Sequence, residues 1–124
     1  MRTIIVSVLL AASSFCAPLA AQQTGHPEHH FFELGDFRLE LGETLPGARL
    51  LYVTHGRLNA DRSNAVLIPS WYGGNHHGYD FLIGPDRALD PDDYFVIVTE
   101  MFGSGGSSSP SNQVPPQTHE AFPS

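Results

Sequence analysis

The sequence predicts an α/β fold in which an N-terminal antiparallel hairpin precedes two buried parallel strands. Residues 37–41 alternate apolar and charged side chains, a pattern typical of a half-buried strand, and residues 49–54 predict a second strand after a short turn. Residues 65–68 (A-V-L-I) and 94–98 (Y-F-V-I-V) are short continuous apolar runs, which are typical of strands covered on both faces. Each run leads into a glycine-rich polar loop, and in open α/β sheets such loops at the carboxyl ends of strands bind ligands.

The hairpin is predicted from residues 37–54. Phe37, Leu39 and Leu41 alternate with charged residues and predict a first strand over 37–41. Residues 43–47 (E-T-L-P-G) have the composition of a turn. Residues 49–54 (R-L-L-Y-V-T) predict the second strand, which ends at Gly56, and the short connection favours antiparallel pairing.

The remaining segments are connectors with weaker signals. Residues 59–64 form a polar connector, and residues 79–83 and 86–89 each predict a helical turn, interrupted by Gly84 and Pro85. From residue 103 to residue 124 the chain is rich in Ser, Gly and Pro and has no strand or helix period. This tract is either an active-site loop or a linker.

The N-terminus has the pattern of a signal peptide. Arg2 supplies the positive charge, residues 4–12 are apolar, and the small residues 17–21 predict cleavage after Ala21. A membrane anchor is disfavoured, because Ser13 and Ser14 interrupt an apolar stretch shorter than the ~20 residues that span a bilayer. We therefore expect a signal peptide at 1–21, a flexible leader at 22–36, and an exported protein that is periplasmic or secreted.

Charge and cysteine content exclude some classes of function. The 124 residues have a formal net charge of −7, and all of the basic residues are arginines. A chain this acidic is unsuited to binding nucleic acid or, through a basic patch, an anionic membrane surface. Cys16 is the one cysteine and lies in the predicted signal peptide, so the mature chain is expected to hold no disulfide.

Five short segments resemble a known family. They are residues 50–59 (L-L-Y-V-T-H-G-R-L-N), 64–68, 82–85 (L-I-G-P), 90–97 and 107–112 (S-S-S-P-S-N). In this order and spacing they resemble the N-terminal part of the homoserine O-acetyltransferase-like family of α/β-hydrolase-fold proteins, over residues 37 to about 122. The resemblance implies that residues 37–124 are an incomplete α/β-hydrolase fold, truncated before the nucleophile elbow. It also implies that residues 65–68 pair with residues 94–98 on one side and leave an uncovered apolar edge on the other.

The chain departs from the family pattern at one segment. Where many members have a histidine-led H-A-L-T-G segment after the third strand, this chain has P-S-W-Y-G at residues 69–73. The signal peptide is a second departure, because homoserine and acetyl-CoA are cytoplasmic metabolites. We therefore do not assign homoserine as the substrate.

The resemblance also implies where an active site would form. Acyl transfer on this fold needs a serine on a sharp elbow, an acid, a histidine and two backbone donors for the oxyanion. The elbow pattern G-x-S-x-G is absent, and in the family the elbow, acid and histidine lie downstream. One oxyanion donor is implied near Trp71, so the backbone candidates are Trp71 and Tyr72. The substrate-loop candidates are Ser70, Gly73, Gly74, Gly103, Ser107 and Ser108.

Other nucleophiles and metal ligands are disfavoured. Ser104 and the serines at 107–109 are expected to bond to backbone. The sequence spacing of two groups does not match a metal site: His76 and His77 with Asp80, and His26 with His29 and His30. We therefore expect solvated histidines in loops, with no bound metal and no cofactor. His55 is expected to be structural.

Three hypotheses for function follow. The first is an N-terminal fragment of an exported acyltransferase or serine hydrolase, inactive as this chain, whose full-length parent acts on a small-molecule acyl substrate. The second is a small secreted non-catalytic binding module. The third is a complete small enzyme that uses His76 or His77 with a loop serine. The sequence does not predict an oligomeric state.

Overall fold

The structure, a computed structural model, describes residues 26–113 and 119–123. The predicted signal peptide at 1–21 and the first residues of the predicted leader lie outside the described residues.

A mixed four-stranded sheet forms the centre of the fold. Its strands are β1 (His30–Arg38), β2 (Thr44–His55), β3 (Ala65–Pro69) and β4 (Phe95–Thr99), in the spatial order β1-β2-β4-β3. β1 and β2 are antiparallel, β2 and β4 are antiparallel, and β3 and β4 are parallel. The predicted N-terminal hairpin and the predicted parallel pair are therefore confirmed.

The hairpin is longer than predicted and turns earlier. β1 begins at His30, so residues 30–36, which the sequence assigned to the leader, belong to the sheet. The turn lies where Leu39 N donates to Glu43 O at 2.8 Å and Gly42 N donates to Leu39 O at 3.0 Å. Residues 44–47 are part of β2 rather than of the turn. The register of β1 on β2 shifts on both sides of Gly35, and these irregularities break the side-chain alternation by which a strand is recognised.

β3 is less buried than the sequence suggests. Val66 and Ile68 are half-buried, but Ala65, Leu67 and Pro69 are exposed, so the prediction that this strand is covered on both faces is wrong. In β4, Val96 and Val98 are buried and their neighbours are half-buried. Within the described residues, β3 pairs only with β4 and its other edge has no strand beside it. The side chains on one of its faces are also exposed.

A small apolar core covers one face of the sheet. Leu51 and Val53 of β2 pack with Val96 and Val98 of β4, and Ile83 closes the cluster. The cover comes from a 3₁₀ helix at His76–Tyr79 and the loop that follows it. The helical turns predicted at 79–83 and 86–89 are replaced by this earlier helix and by a tight loop closed by an Ile83–Leu89 bridge.

The helices of the described residues are two 3₁₀ turns, His76–Tyr79 and His119–Ala121. Neither has the length or the apolar content that crossing a membrane would require.

Two glycines test how tightly the sheet packs against its connections. Gly56 has φ of 75°, and a Cβ atom there would overlap the carbonyl oxygens of Tyr94 and Pro91. Gly47 also has positive φ, 56°, but a Cβ atom there meets nothing within 4 Å. We expect Gly47→Ala to lower the free energy of unfolding by about 1–2 kcal/mol, the left-handed backbone term, and Gly56→Ala by more than about 3 kcal/mol. Urea unfolding and resistance to trypsin measure the difference, and equal effects of the two changes would contradict the packing described.

Candidate functional site

A cleft opens where β3 and β4 end. It encloses about 850 Å³ and lies between the loop after β3 (residues 70–75, the β3 loop) and the loop after β4 (residues 101–108, the β4 loop). Because β3 and β4 are parallel neighbours, their carboxyl ends meet at one edge of the sheet, which is where open α/β sheets bind ligands. The lining is mostly apolar and consists of Leu39, Leu45, Trp71, Tyr72, Gly73, Gly74, Met101, Phe102, Gly103, Ser104, Pro110, Phe122 and Pro123.

The β3 loop forms a tight turn that lines this cleft. Gly74 N donates to Trp71 O at 2.9 Å and Gly73 has φ of 74°, which together form a tight four-residue turn. The Trp71 indole lies against Gly74 and Gly78, and its ring meets the ring of Tyr79 edge-on with centroids 5.1 Å apart. Within the described residues, the amide N–H groups of Trp71, Tyr72 and Gly73 donate no hydrogen bond. Three successive donors are therefore free in residues that line the cleft.

Serines hold the β4 loop against β2. The Ser107 hydroxyl accepts from Leu51 N at 2.9 Å and donates to Glu100 O at 2.8 Å. The Ser108 hydroxyl accepts from Arg49 N at 3.0 Å, and Ser108 N donates to Arg49 O at 3.0 Å. Both side chains are fully buried. They provide hydrogen-bond partners for the backbone of β2 beyond the end of β4. The sequence predicted both serines as substrate-loop residues, but neither lines the cleft.

Ser70 joins the two loops beneath the cleft. Its amide donates to Thr99 O at 2.8 Å, and its hydroxyl accepts from Met101 N at 3.3 Å. The side chain is buried and does not line the cleft. Of the residues chosen from the sequence, the cleft therefore brings together Trp71, Tyr72, Gly73, Gly74 and Gly103, and leaves out Ser70, Ser107 and Ser108.

A buried hydrogen-bonded pair that the sequence did not reveal lies behind the cleft. Glu100 Oε1 is 2.6 Å from His76 Nδ1 and also accepts from His76 N at 3.3 Å. Oε2 accepts from the Ser104 hydroxyl at 2.9 Å. Burial raises the pKa of Glu100, but the hydrogen bonds from His76 and Ser104 outweigh it and hold the pKa below its ordinary value. The prediction of a solvated loop histidine is wrong for His76, which is 5% exposed. The sequence signal was an acidic residue directly after the apolar strand β4.

The other histidines surround this pair. His29 Nε2 lies 3.2 Å from His76 Nε2, and His77 Nδ1 lies 3.0 Å from Asp80 Oδ2. Because His76 Nδ1 donates its proton to Glu100, its Nε2 is the acceptor when the ring is neutral, and His29 is then the donor. Nowhere in the described residues do three His, Cys, Asp or Glu side chains converge in a way that could hold a metal ion.

His55 ends β2 on the side away from the loops. Burial lowers its pKa, against the opposing charge of Asp80 and with a small contribution from His76. Its Nε2 atom is buried and finds no hydrogen-bond partner in the described part of the chain. The ring therefore stays neutral and packs at the end of the strand.

The hydrogen bonds of Glu100 predict a pH-dependent stability. Because folding lowers the pKa of Glu100 from 4.5, the ionised carboxylate stabilises the fold above that pH, and the contribution disappears as the pH falls through the lowered pKa. We expect the difference in free energy of unfolding between the unmodified chain and Glu100→Gln to be largest near neutral pH and to shrink below pH 4.5. Urea unfolding across this range measures it, with Glu40→Gln at an exposed carboxylate as the control. A difference that does not change with pH would contradict this assignment.

Comparison with known proteins gives several relatives. No family model matches the chain. The ethyl acetate hydrolase of Pseudomonas veronii is 42% identical over 91 residues, which cover 73% of this chain and 26% of that protein. The homoserine O-acetyltransferase of Geobacter sulfurreducens is 39% identical over 100 residues, which cover 70% of this chain and 27% of that protein.

Solved structures agree with these sequence matches. An acetylester hydrolase from Corynebacterium glutamicum superposes with a TM-score of 0.73 at 40% identity, over 77% of this chain and 28% of that one. Such neighbours have the α/β-hydrolase fold. The chain spans about a quarter of the length of the relatives it matches. In sequence and in fold it corresponds to the N-terminal part of the homoserine O-acetyltransferase-like family of α/β-hydrolase-fold proteins, as the resemblance predicted.

Proposed function

We propose that this chain forms the N-terminal, oxyanion-binding side of the acyl site of an exported α/β-hydrolase-fold esterase, and that it has no catalytic activity alone. The observation that carries the proposal is the set of three free amides at Trp71, Tyr72 and Gly73 at the carboxyl end of β3. In this fold one donor of the oxyanion hole is a backbone N–H in the loop after the third strand. Preorganised donors of this kind stabilise the charge that develops on the substrate oxygen.

The cleft favours apolar acyl groups. Its wall contains Met101, Phe102, Leu39 and Leu45, and within the described residues no basic side chain lines it. A carboxylate-bearing acyl donor would therefore find no cationic partner on this side of the site. The similarity to an ethyl acetate hydrolase and to an acetylester hydrolase supports hydrolysis of small esters over acyl transfer to homoserine.

The nucleophile is the missing part. The sequence contains no G-x-S-x-G elbow. Ser107, Ser108 and Ser109 are buried, and their hydroxyls bond to β2 and to Ser111. Ser104 lines the cleft, and its hydroxyl donates to the Glu100 carboxylate rather than to a histidine. Chemistry therefore requires an elbow serine, an acid and a histidine like those that follow this segment in the family.

A chimera tests the proposal. Residues 30–113 of this chain replace the matching N-terminal segment of the Pseudomonas veronii ethyl acetate hydrolase. We expect the chimera to hydrolyse ethyl acetate within about tenfold of that enzyme, because a shared fold at this identity preserves the donor geometry. The isolated chain should show no p-nitrophenyl acetate hydrolysis and no fluorophosphonate labelling. A folded but inactive chimera would favour the non-catalytic binding module, and labelling of Ser104 or of a serine at 107–109 would favour the small-enzyme hypothesis.

Two substitutions in the chimera separate the backbone from the side chain. Tyr72 occupies the second position of the tight turn, where proline is tolerated, so Tyr72→Pro removes one N–H and keeps the turn. Tyr72→Ala keeps the N–H and removes the ring, which is 96% exposed. We expect the proline variant to lose about 10²–10³ in kcat and the alanine variant to stay within a few-fold. Full activity of the proline variant would exclude the Tyr72 amide and leave Trp71 or Gly73 as the donor.

Export forms the second part of the proposal and follows from the N-terminal sequence. We expect the secreted or periplasmic product to begin at or near Gln22, because residues 4–12 form an apolar segment followed by a small-residue cleavage site. Mass spectrometry of the protein from a secreting host measures its N-terminus. Replacing residues 6–9 with polar residues is the matched control and should retain Met1 in the cytoplasm. An intact Met1 on a soluble cytoplasmic product of the unmodified chain would contradict export.

A further inference from the structure

The Glu100 side chain hydrogen-bonds to groups on both sides of the cleft. Oε1 receives two hydrogen bonds from His76, which follows the β3 loop, and Oε2 receives one from Ser104 in the β4 loop. Its backbone is fixed as well, because Glu100 N donates to Leu51 O at 2.9 Å and Glu100 O accepts from Ser107. The carboxylate therefore sits on a rigid strand end and connects two loops.

The β3 loop has few other attachments. Ser70 fixes its first residue to Thr99 and Met101, and the next contact to the strand ends is the pair between His76 and Glu100. Between these points lie Trp71, Tyr72 and Gly73, whose amides are free. The turn that presents these amides is consequently held at its two ends, by Ser70 and by Glu100.

The chain leaves space for this carboxylate. A Cβ atom on Gly106 would overlap Glu100 Oε2, so the β4 loop can close over the carboxylate only because residue 106 is glycine. His29 closes the opposite side, with its Nε2 against His76 Nε2. The carboxylate is buried, its side chain 5% exposed, and each of its oxygens has a donor.

We propose that Glu100 is a positioning residue that sets the distance and orientation of the β3 loop relative to the β4 loop, through His76 on one side and Ser104 on the other. What the positioned amides do rests on the proposed function, but the positioning itself does not. The lowered pKa of Glu100 agrees with a carboxylate that stays ionised while it accepts these bonds. A charged acceptor forms stronger hydrogen bonds than a neutral one and fixes its donors more firmly.

Amide hydrogen exchange in the full chain tests the proposal without any activity assay. Gly74 N bonds to Trp71 O, and Gly103 N bonds to Ser108 O at 2.9 Å, and neither amide touches Glu100. We expect Glu100→Ala to speed exchange at both amides on the order of tenfold, because each loop opens locally. Glu100→Gln offers an acceptor to His76 and a donor to Ser104, so exchange should stay within a few-fold of the unmodified chain.

Control variants separate positioning from general stability. Val98→Ala removes buried volume from β4 without touching either loop, and should speed exchange throughout the sheet rather than at the two loop amides first. Of the two loop amides, His76→Asn should speed exchange only at Gly74, and Ser104→Ala should speed exchange only at Gly103. These two variants serve also if Glu100→Ala does not fold.

The proposal fails if Glu100→Ala does not change the exchange rates of the Gly74 and Gly103 amides. It fails as well if the two amides exchange as fast in Glu100→Gln as in Glu100→Ala. It also fails if His76→Asn and Ser104→Ala each speed exchange equally at Gly74 and at Gly103. Absence of protection at both amides in the unmodified chain would also overturn it. An inactive chimera contradicts the proposed function and leaves these outcomes unaffected, so the two failures are distinguishable.

Discussion

The pairing of β4 with two neighbours of opposite direction determines most of this structure. On one side β4 runs antiparallel to β2, with Val98 opposite Val53, and on the other it runs parallel to β3. The pairing with β2 brings the buried valines and Leu51 together into the core. The pairing with β3 brings two carboxyl ends to one edge of the sheet, where the cleft forms. Without β4, no strand pairing would fix the position of the hairpin relative to the β3 loop.

Because β4 is short, the β4 loop must supply hydrogen-bond partners for the part of β2 that β4 does not pair with. β2 is 12 residues long and β4 is 5, so the edge of β2 near Arg49 and Leu51 would be left with unpaired backbone groups. A buried unpaired amide or carbonyl costs free energy comparable to a lost hydrogen bond. Ser107 and Ser108 meet this requirement with their hydroxyls and backbone. The same serines thereby fix the β4 loop that forms one wall of the cleft.

The cleft combines a rigid support with free donors, which is the arrangement that oxyanion stabilisation requires. Glu100, Ser70, Ser107 and Ser108 use their hydrogen-bonding groups within the protein. Within the described residues, the amides at Trp71, Tyr72 and Gly73 do not. The segment is similar in sequence to esterases and acyltransferases and spans about a quarter of their length.

Local sequence patterns predicted the strands, their pairing type, the two loops and the family. They could do so because apolar runs, turn residues and short motifs each consist of residues that are adjacent in the sequence. They failed at β1, where the irregularities at Gly35 hide the alternation, and at β3, whose exposure depends on what lies beside it. They indicated Trp71, Tyr72 and the glycines of the cleft, and the backbone bonding of Ser107 and Ser108. They were wrong to place these two serines among the residues that line the substrate site. Only the tertiary structure revealed Glu100 with His76. These residues are 24 positions apart, and the bond between them exists because the sheet brings the ends of β3 and β4 together.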